Sequence, residues 1–104
     1  MVSLQAALEL GDGLEAAFEV DAVSMAVAGQ GRHRKGILLH AAADEKLNSL
    51  GADLSKVDWW LALRDRYLTP ARLALGASFA DADDEGRAMG FNEAVNYAAN
   101  PDLD

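Results

Sequence analysis

Residues 18–27 read Phe18-Glu19-Val20-Asp21-Ala22-Val23-Ser24-Met25-Ala26-Val27, and the choice of fold class turns on whether this stretch is helix or strand.

 Val23-Ser24-Met25-Ala26-Val27 alternates as a half-buried strand would. Leu14, Phe18, Ala22 and Met25 recur instead near i, i+4 spacing, and Val20, Val23 and Val27 make a second stripe, as on a helix. The stretch itself reads either way, and composition decides the fold class of the chain as a whole. The chain has 21 Ala and 15 Leu against six Val, one Ile and one Thr. Helices favour Ala and Leu, and strands favour β-branched residues. Eight β-branched residues in 104 do not furnish a sheet of ordinary size. The expected fold is all-α: a compact bundle of four to five helices, one domain over residues 1–104, forming a dimer.

Working outward, Ser3 caps a short helix with Leu4, Ala7 and Leu8 on one face, and Gly11-Asp12-Gly13 ends it. Asp12 and Glu15 then make a capping box for the helix through residues 18–27. Gly29-Gln30-Gly31 stops that helix, and Arg32-His33-Arg34-Lys35-Gly36 follows as a basic loop or lead-in. The next helix runs from about Lys35 to Leu50, burying Leu39, Ala43, Leu47 and Leu50, with Gly51 as its C-terminal cap. Asp53 or Ser55 caps a helix with Val57, Trp60, Leu61 and Leu68 on one stripe. Thr69-Pro70 marks a new helix or a kink, running to about Phe79. A last helix opens on Asp81-Ala82-Asp83-Asp84-Glu85, where acids complement the helix dipole. It carries Ala88, Phe91, Val95 and Ala98 on one side and stops at Asn100-Pro101.

The composition excludes several classes. With no cysteine there is no disulfide framework and no Cys-ligated metal. No run of about 18 apolar residues is present, so no membrane span is expected. The start, MVSLQAALELGDG, lacks the basic head and apolar centre of a signal peptide, and a cytoplasmic location is expected. The formal net charge of −8 opposes direct nucleic-acid binding. That charge is uneven. Residues 1–31 hold five acids and no base, residues 32–80 eight bases and five acids, and residues 81–104 seven acids and one base. Acidic ends of this kind suit a partner with a basic surface.

Four features are candidates for function. Arg32, Arg34 and Lys35, between Gly31 and Gly36, could hold an anion, although no Ser or Thr follows Lys35 as a Walker motif requires. The plainer reading sets these cations past the end of a helix, where positive charge is favourable. Arg34 and His40 form an Arg-x5-His pair that resembles the signature of HEPN-type ribonucleases. Those are small all-α domains that dimerise to form the active site. The resemblance implies an arginine on the scissile phosphate and a histidine that moves the proton. Against it, Gly36 lies between the two, and His40 is readily explained as a partly buried residue paired with Asp44. Leu50-Gly51, Val57 and Trp60 resemble the spacing of a helix-turn-helix. Lys46 and Leu47 depart from that pattern, and Asp53, Ser55, Lys56, Asp58, Trp59 and Asp65 make a poor major-groove face.

The fourth feature is the pair Trp59-Trp60, whose side chains leave a helix about 100° apart. Trp60 joins Val57, Leu61 and Leu68, whereas Trp59 joins Leu63 and Tyr67. A helix apolar over most of its surface is buried on both sides. Either it is the central helix of the bundle or a second subunit or partner covers it. Trp59, Leu63, Tyr67 and Trp60 are therefore the expected partner-binding residues. No catalytic residue is expected: Ser3, Ser24, Ser49, Ser55 and Ser78 show no nucleophile elbow. No cofactor motif is present, and His40 with Asp44 supplies too few ligands for a metal. The expected function is non-enzymatic: a small acidic protein that inhibits or anti-activates another protein, such as a transcriptional regulator or nucleic-acid-binding complex. The alternatives are a helix-turn-helix-like DNA-binding regulator and a HEPN-like ribonuclease.

Overall fold

A computed structural model of the chain describes residues 13–51 and 58–100. The expected helix around Leu4–Leu8, the Asp12 cap, the Asp53 or Ser55 cap, Lys56 and Val57 lie outside the described residues. The architecture is all-α. In chain order, α1 spans Gly13–Gly29, α2 His33–Ser49 and α3 Asp58–Leu75. A 3-10 turn, Gly76–Ser78, leads to α4, Phe79–Ala88, and α5 spans Phe91–Ala99. Among the described residues there is no strand, so residues 18–27 are helical.

Helix α2 is the centre of the molecule. Ile37, Leu38, Leu39, Ala41, Ala42, Ala43 and Leu47 are all buried, and α1, α3, α4 and α5 each pack against it. Fully burying one such Leu or Ile is worth about 1.5–3 kcal/mol. Of the two sequence readings of the tryptophan helix, central helix or partner-covered helix, the first does not hold, because α3 keeps one face in solvent. Two apolar clusters flank α2. Met25, Ile37, Trp60, Leu68, Ala71 and Ala82 belong to one, and Val20, Val27, Leu39, Ala43 and Val95 to the other. Thus α1 sends Phe18 and Met25 to one cluster and Val20, Val23 and Val27 to the other, while Ala22 is exposed.

The helix ends follow from glycine chemistry. At the end of α1, Gly31 takes φ of +89°, the Gly31 N–H donates to the Ala28 carbonyl and the Arg32 N–H to the Val27 carbonyl, both at 3.0 Å. That is a Schellman closure. Gly51, at φ +75°, closes α2 by donating to the Asn48 carbonyl at 3.1 Å. Leu50, expected inside, is 47% exposed, because it lies at this cap beyond the last buried turn.

Two boundaries differ from expectation. Helix α3 passes through Pro70 without a break and stops at Leu75, before Gly76. Pro70 and Arg66 are both exposed, so the carbonyl that loses its amide partner lies on the solvent-facing side. The single last helix expected after Asp81 is two helices. Met89 and Gly90 are extended, with ψ of 135° and 143°, and they turn the chain between α4 and α5. Val95 reaches the second cluster with Phe91 and Ala98 beside it, whereas Ala88 is exposed.

Two glycines allow close approach of helix backbones. A Cβ at Gly36 would lie 2.7 Å from the Ala28 Cβ and 3.0 Å from the Ser24 carbonyl oxygen, joining α2 to α1. A Cβ at Gly86 would overlap the Leu38 carbonyl and lie 2.8 Å from the Ala41 Cβ, joining α4 to α2. Gly36→Ala and Gly86→Ala are each expected to lower the unfolding free energy by about 1–3 kcal/mol, the usual cost of overpacking, in urea denaturation.

Candidate functional site

The polar centre is built around Asp21, whose side chain is 1% exposed. It lies on α1 three residues after Phe18 and four before Met25, on a buried helix face. Its Oδ1 lies 2.7 Å from Nδ1 of His40, and its Oδ2 accepts from Nε1 of Trp60 at 3.2 Å. The Ser24 hydroxyl lies 3.2 Å from the same Oδ1 and 2.5 Å from the Asp21 carbonyl oxygen. A buried carboxylate needs such donors, since an unpaired charge in the interior costs several kcal/mol.

The hydrogen-bonding pattern fixes the tautomer of His40. Its Nε2 lies 3.0 Å from the Arg64 Nη2, and a guanidinium only donates. Nε2 is therefore the acceptor, and the ring proton sits on Nδ1, where it donates to Asp21. Arg64 Nε is 3.8 Å from Asp21, and its Nη2 is 3.6 Å from Asp44. Asp44 Oδ2 accepts from Arg87 Nη1 at 3.0 Å, and Arg87 Nε donates to Asp83, also at 3.0 Å. The Asp83 hydrogen bond, followed by that of Asp44, raises the Arg87 pKa above its ordinary value despite partial burial. One polar chain therefore joins α1, α2, α3 and α4.

His40 is paired with Asp21, in place of the Asp44 contact expected from the sequence. Asp44 faces the two arginines instead. Arg34 and His40 are not brought together: Arg34 is exposed and bonded to Glu85 on α4, whereas His40 turns inward to Asp21. A cleft of about 230 Å³ opens between α2 and α3, lined by His40, Leu61, Arg64, Asp65, Leu68, Thr69 and Arg72.

The basic cluster begins α2 and does not trail α1. Arg32 is the N-cap residue, and His33, Arg34 and Lys35 form the first turn. Positive charge there opposes the helix dipole by about 0.3–1 kcal/mol per residue. Arg34 offsets this through Glu85. Lys35 is buried, donating to the Asn100 carbonyl at 2.9 Å with its Nζ 4.6 Å from the Tyr97 ring centre. Arg34 and Lys35 thus serve contacts with α4 and with the end of α5.

The four expected partner-binding residues separate. Trp59 is 65% exposed. Trp60 is buried and meets Phe18 edge-to-face, with ring centres 5.3 Å apart. Leu63 and Tyr67 are half-buried and packed against the first cluster. Tyr67 also lies along Gly29, where an added Cβ would sit 3.2 Å from its Cδ1. Leu73, not among the expected residues, is 77% exposed. It lies fourteen residues after Trp59, so both face the same side of α3.

The polar network was missed, but a signal for it existed. Asp21 falls between Phe18 and Met25, and Arg64 falls four residues from both Trp60 and Leu68. A charge within an apolar stripe needs a partner inside the fold. Among the described residues, no three His, Cys, Asp or Glu side chains are grouped to hold a metal. No described helix is long and apolar enough to cross a membrane. Comparison with family models, curated proteins and solved structures finds no match.

Asp21→Ala leaves His40, Trp60 and Ser24 without their acceptor. It is expected to cost about 3–5 kcal/mol of stability in chemical denaturation. Trp60→Phe removes one hydrogen bond to a charged group while keeping most of the ring, and is expected to cost about 1.5–3 kcal/mol.

Proposed function

We propose that this chain is a non-enzymatic binding protein that modulates another protein by docking one of its helices on the outward face of α3. The observation that carries this reading is the joint exposure of Trp59 and Leu73 on that face. Half-buried Leu63 and exposed Pro70 lie between them. The stripe is about 21 Å long, roughly four helical turns. Large exposed apolar side chains on one helix face suit a helix-in-groove or helix-on-helix partner.

The charges describe that partner. Arg66 stands midway between Trp59 and Leu73 and is exposed, with its guanidinium 5.6 Å from the Tyr67 ring centre. In a symmetrical pairing through this stripe, Arg66 would meet Arg66 of a second copy. A foreign helix with a carboxylate at that level avoids the repulsion. Asp58 and Asp65 are exposed along the flank and favour Lys or Arg there. The net charge of −8 steers the chain toward a protein that is basic overall. A protein whose basic surface normally meets nucleic acid fits this description, and covering its helix would inhibit it.

The test is recombinant binding. A protein captured by the wild-type chain is purified and titrated by calorimetry against wild type, Trp59→Ala and Leu73→Ala. Either variant is expected to weaken binding by about 30-fold or more, with stability changed by less than about 0.5 kcal/mol. Unchanged affinity in both variants, or association of the chain with itself alone in sedimentation, overturns the reading.

A further inference from the structure

We propose that the cleft between α2 and α3 binds a small oxyanion of the phosphate type, held chiefly by Arg64 and Arg72. This cleft occupies a different arc of α3 from the partner face. Its 230 Å³ is below the range of about 300–1,000 Å³ usual for drug-sized ligands. It fits an inorganic ion or the head group of a larger molecule.

Arg64 faces two carboxylates but makes no short hydrogen bond to either. Its nearest carboxylate oxygens are 3.6 and 3.8 Å away, beyond the roughly 2.7–2.9 Å of a charge-assisted hydrogen bond. Its 3.0 Å contact goes to the neutral imidazole of His40. Arg72 has no carboxylate partner among the described residues and stacks over Phe79, 4.9 Å from the ring centre. Both arginines line the same cleft. Thr69 lies on the wall between them in sequence and offers a hydroxyl donor.

Leu61 and Leu68 supply apolar walls, which strengthen an ionic contact by lowering the local dielectric. Asp65 also lines the cleft and opposes an anion. Two arginines set two turns apart along α3 suit a tetrahedral dianion, which accepts bonds in several directions. A planar carboxylate satisfies one fork well and the second poorly.

The experiment is an NMR titration of the full chain with inorganic phosphate, and separately with phenyl phosphate, at fixed pH and ionic strength. The expected result is a saturable shift of the His40 and Arg64 side-chain signals. Arg72→Gln is expected to weaken binding about tenfold or more, with the unfolding midpoint lowered only slightly, because Arg72 is exposed and gives up a single ring contact with Phe79. Equal affinity for phenyl phosphate assigns the cleft to a phosphate head group on a larger molecule. Binding of inorganic phosphate alone assigns it to the free ion. Absence of a saturable shift with either probe, or equal shifts in Arg72→Gln, overturns the proposal.

Discussion

A carboxylate placed in the middle of a helical core must have its charge met by fixed donors, and Asp21 imposes that condition on three helices at once. His40 and Trp60 point their N–H groups at its two oxygens. This sets the facing of α2 and α3 against α1 more narrowly than apolar packing does, since a hydrophobic surface tolerates rotation and a hydrogen bond does not. Arg64 then follows His40, Asp44 follows Arg64, and Arg87 carries the chain of contacts to α4.

Small residues make that geometry reachable. Gly36 lets α1 and α2 approach closely, and Gly86 does the same for α4 against α2. The alanines at 41–43 keep the centre of α2 slim. Around a thin central rod, four helices come near enough for side chains on different helices to share hydrogen bonds.

The helical class was legible because it depends on residue choice summed over the chain, and Ala and Leu dominate that sum. The stops at Gly31 and Gly51 were legible because a left-handed residue ends a helix by local geometry. Pro70 left a new helix or a kink open, and α3 runs through it, since the carbonyl that loses its amide partner faces water and tertiary packing carries the helix onward. The network around Asp21 was obscured for another reason. Apart from Ser24, its partners are nineteen and more residues away, and pairing across that distance is decided by the packing of helices, which no local spacing encodes. Trp59 and Trp60 could be assigned to different faces from the 100° turn, but only the packed fold shows that Trp60 is the inward one.

The two indoles, with ring centres 5.5 Å apart and nearly perpendicular, give the molecule an internal light source with two colours. Trp59 is mostly exposed, the setting in which an indole is expected to emit at longer wavelength, while Trp60 is buried beside a carboxylate, where shorter-wavelength emission is expected. Their closeness permits excitation to pass from one to the other. An event at the outer surface and an event at the buried carboxylate therefore leave different marks on a single emission spectrum, with no label attached.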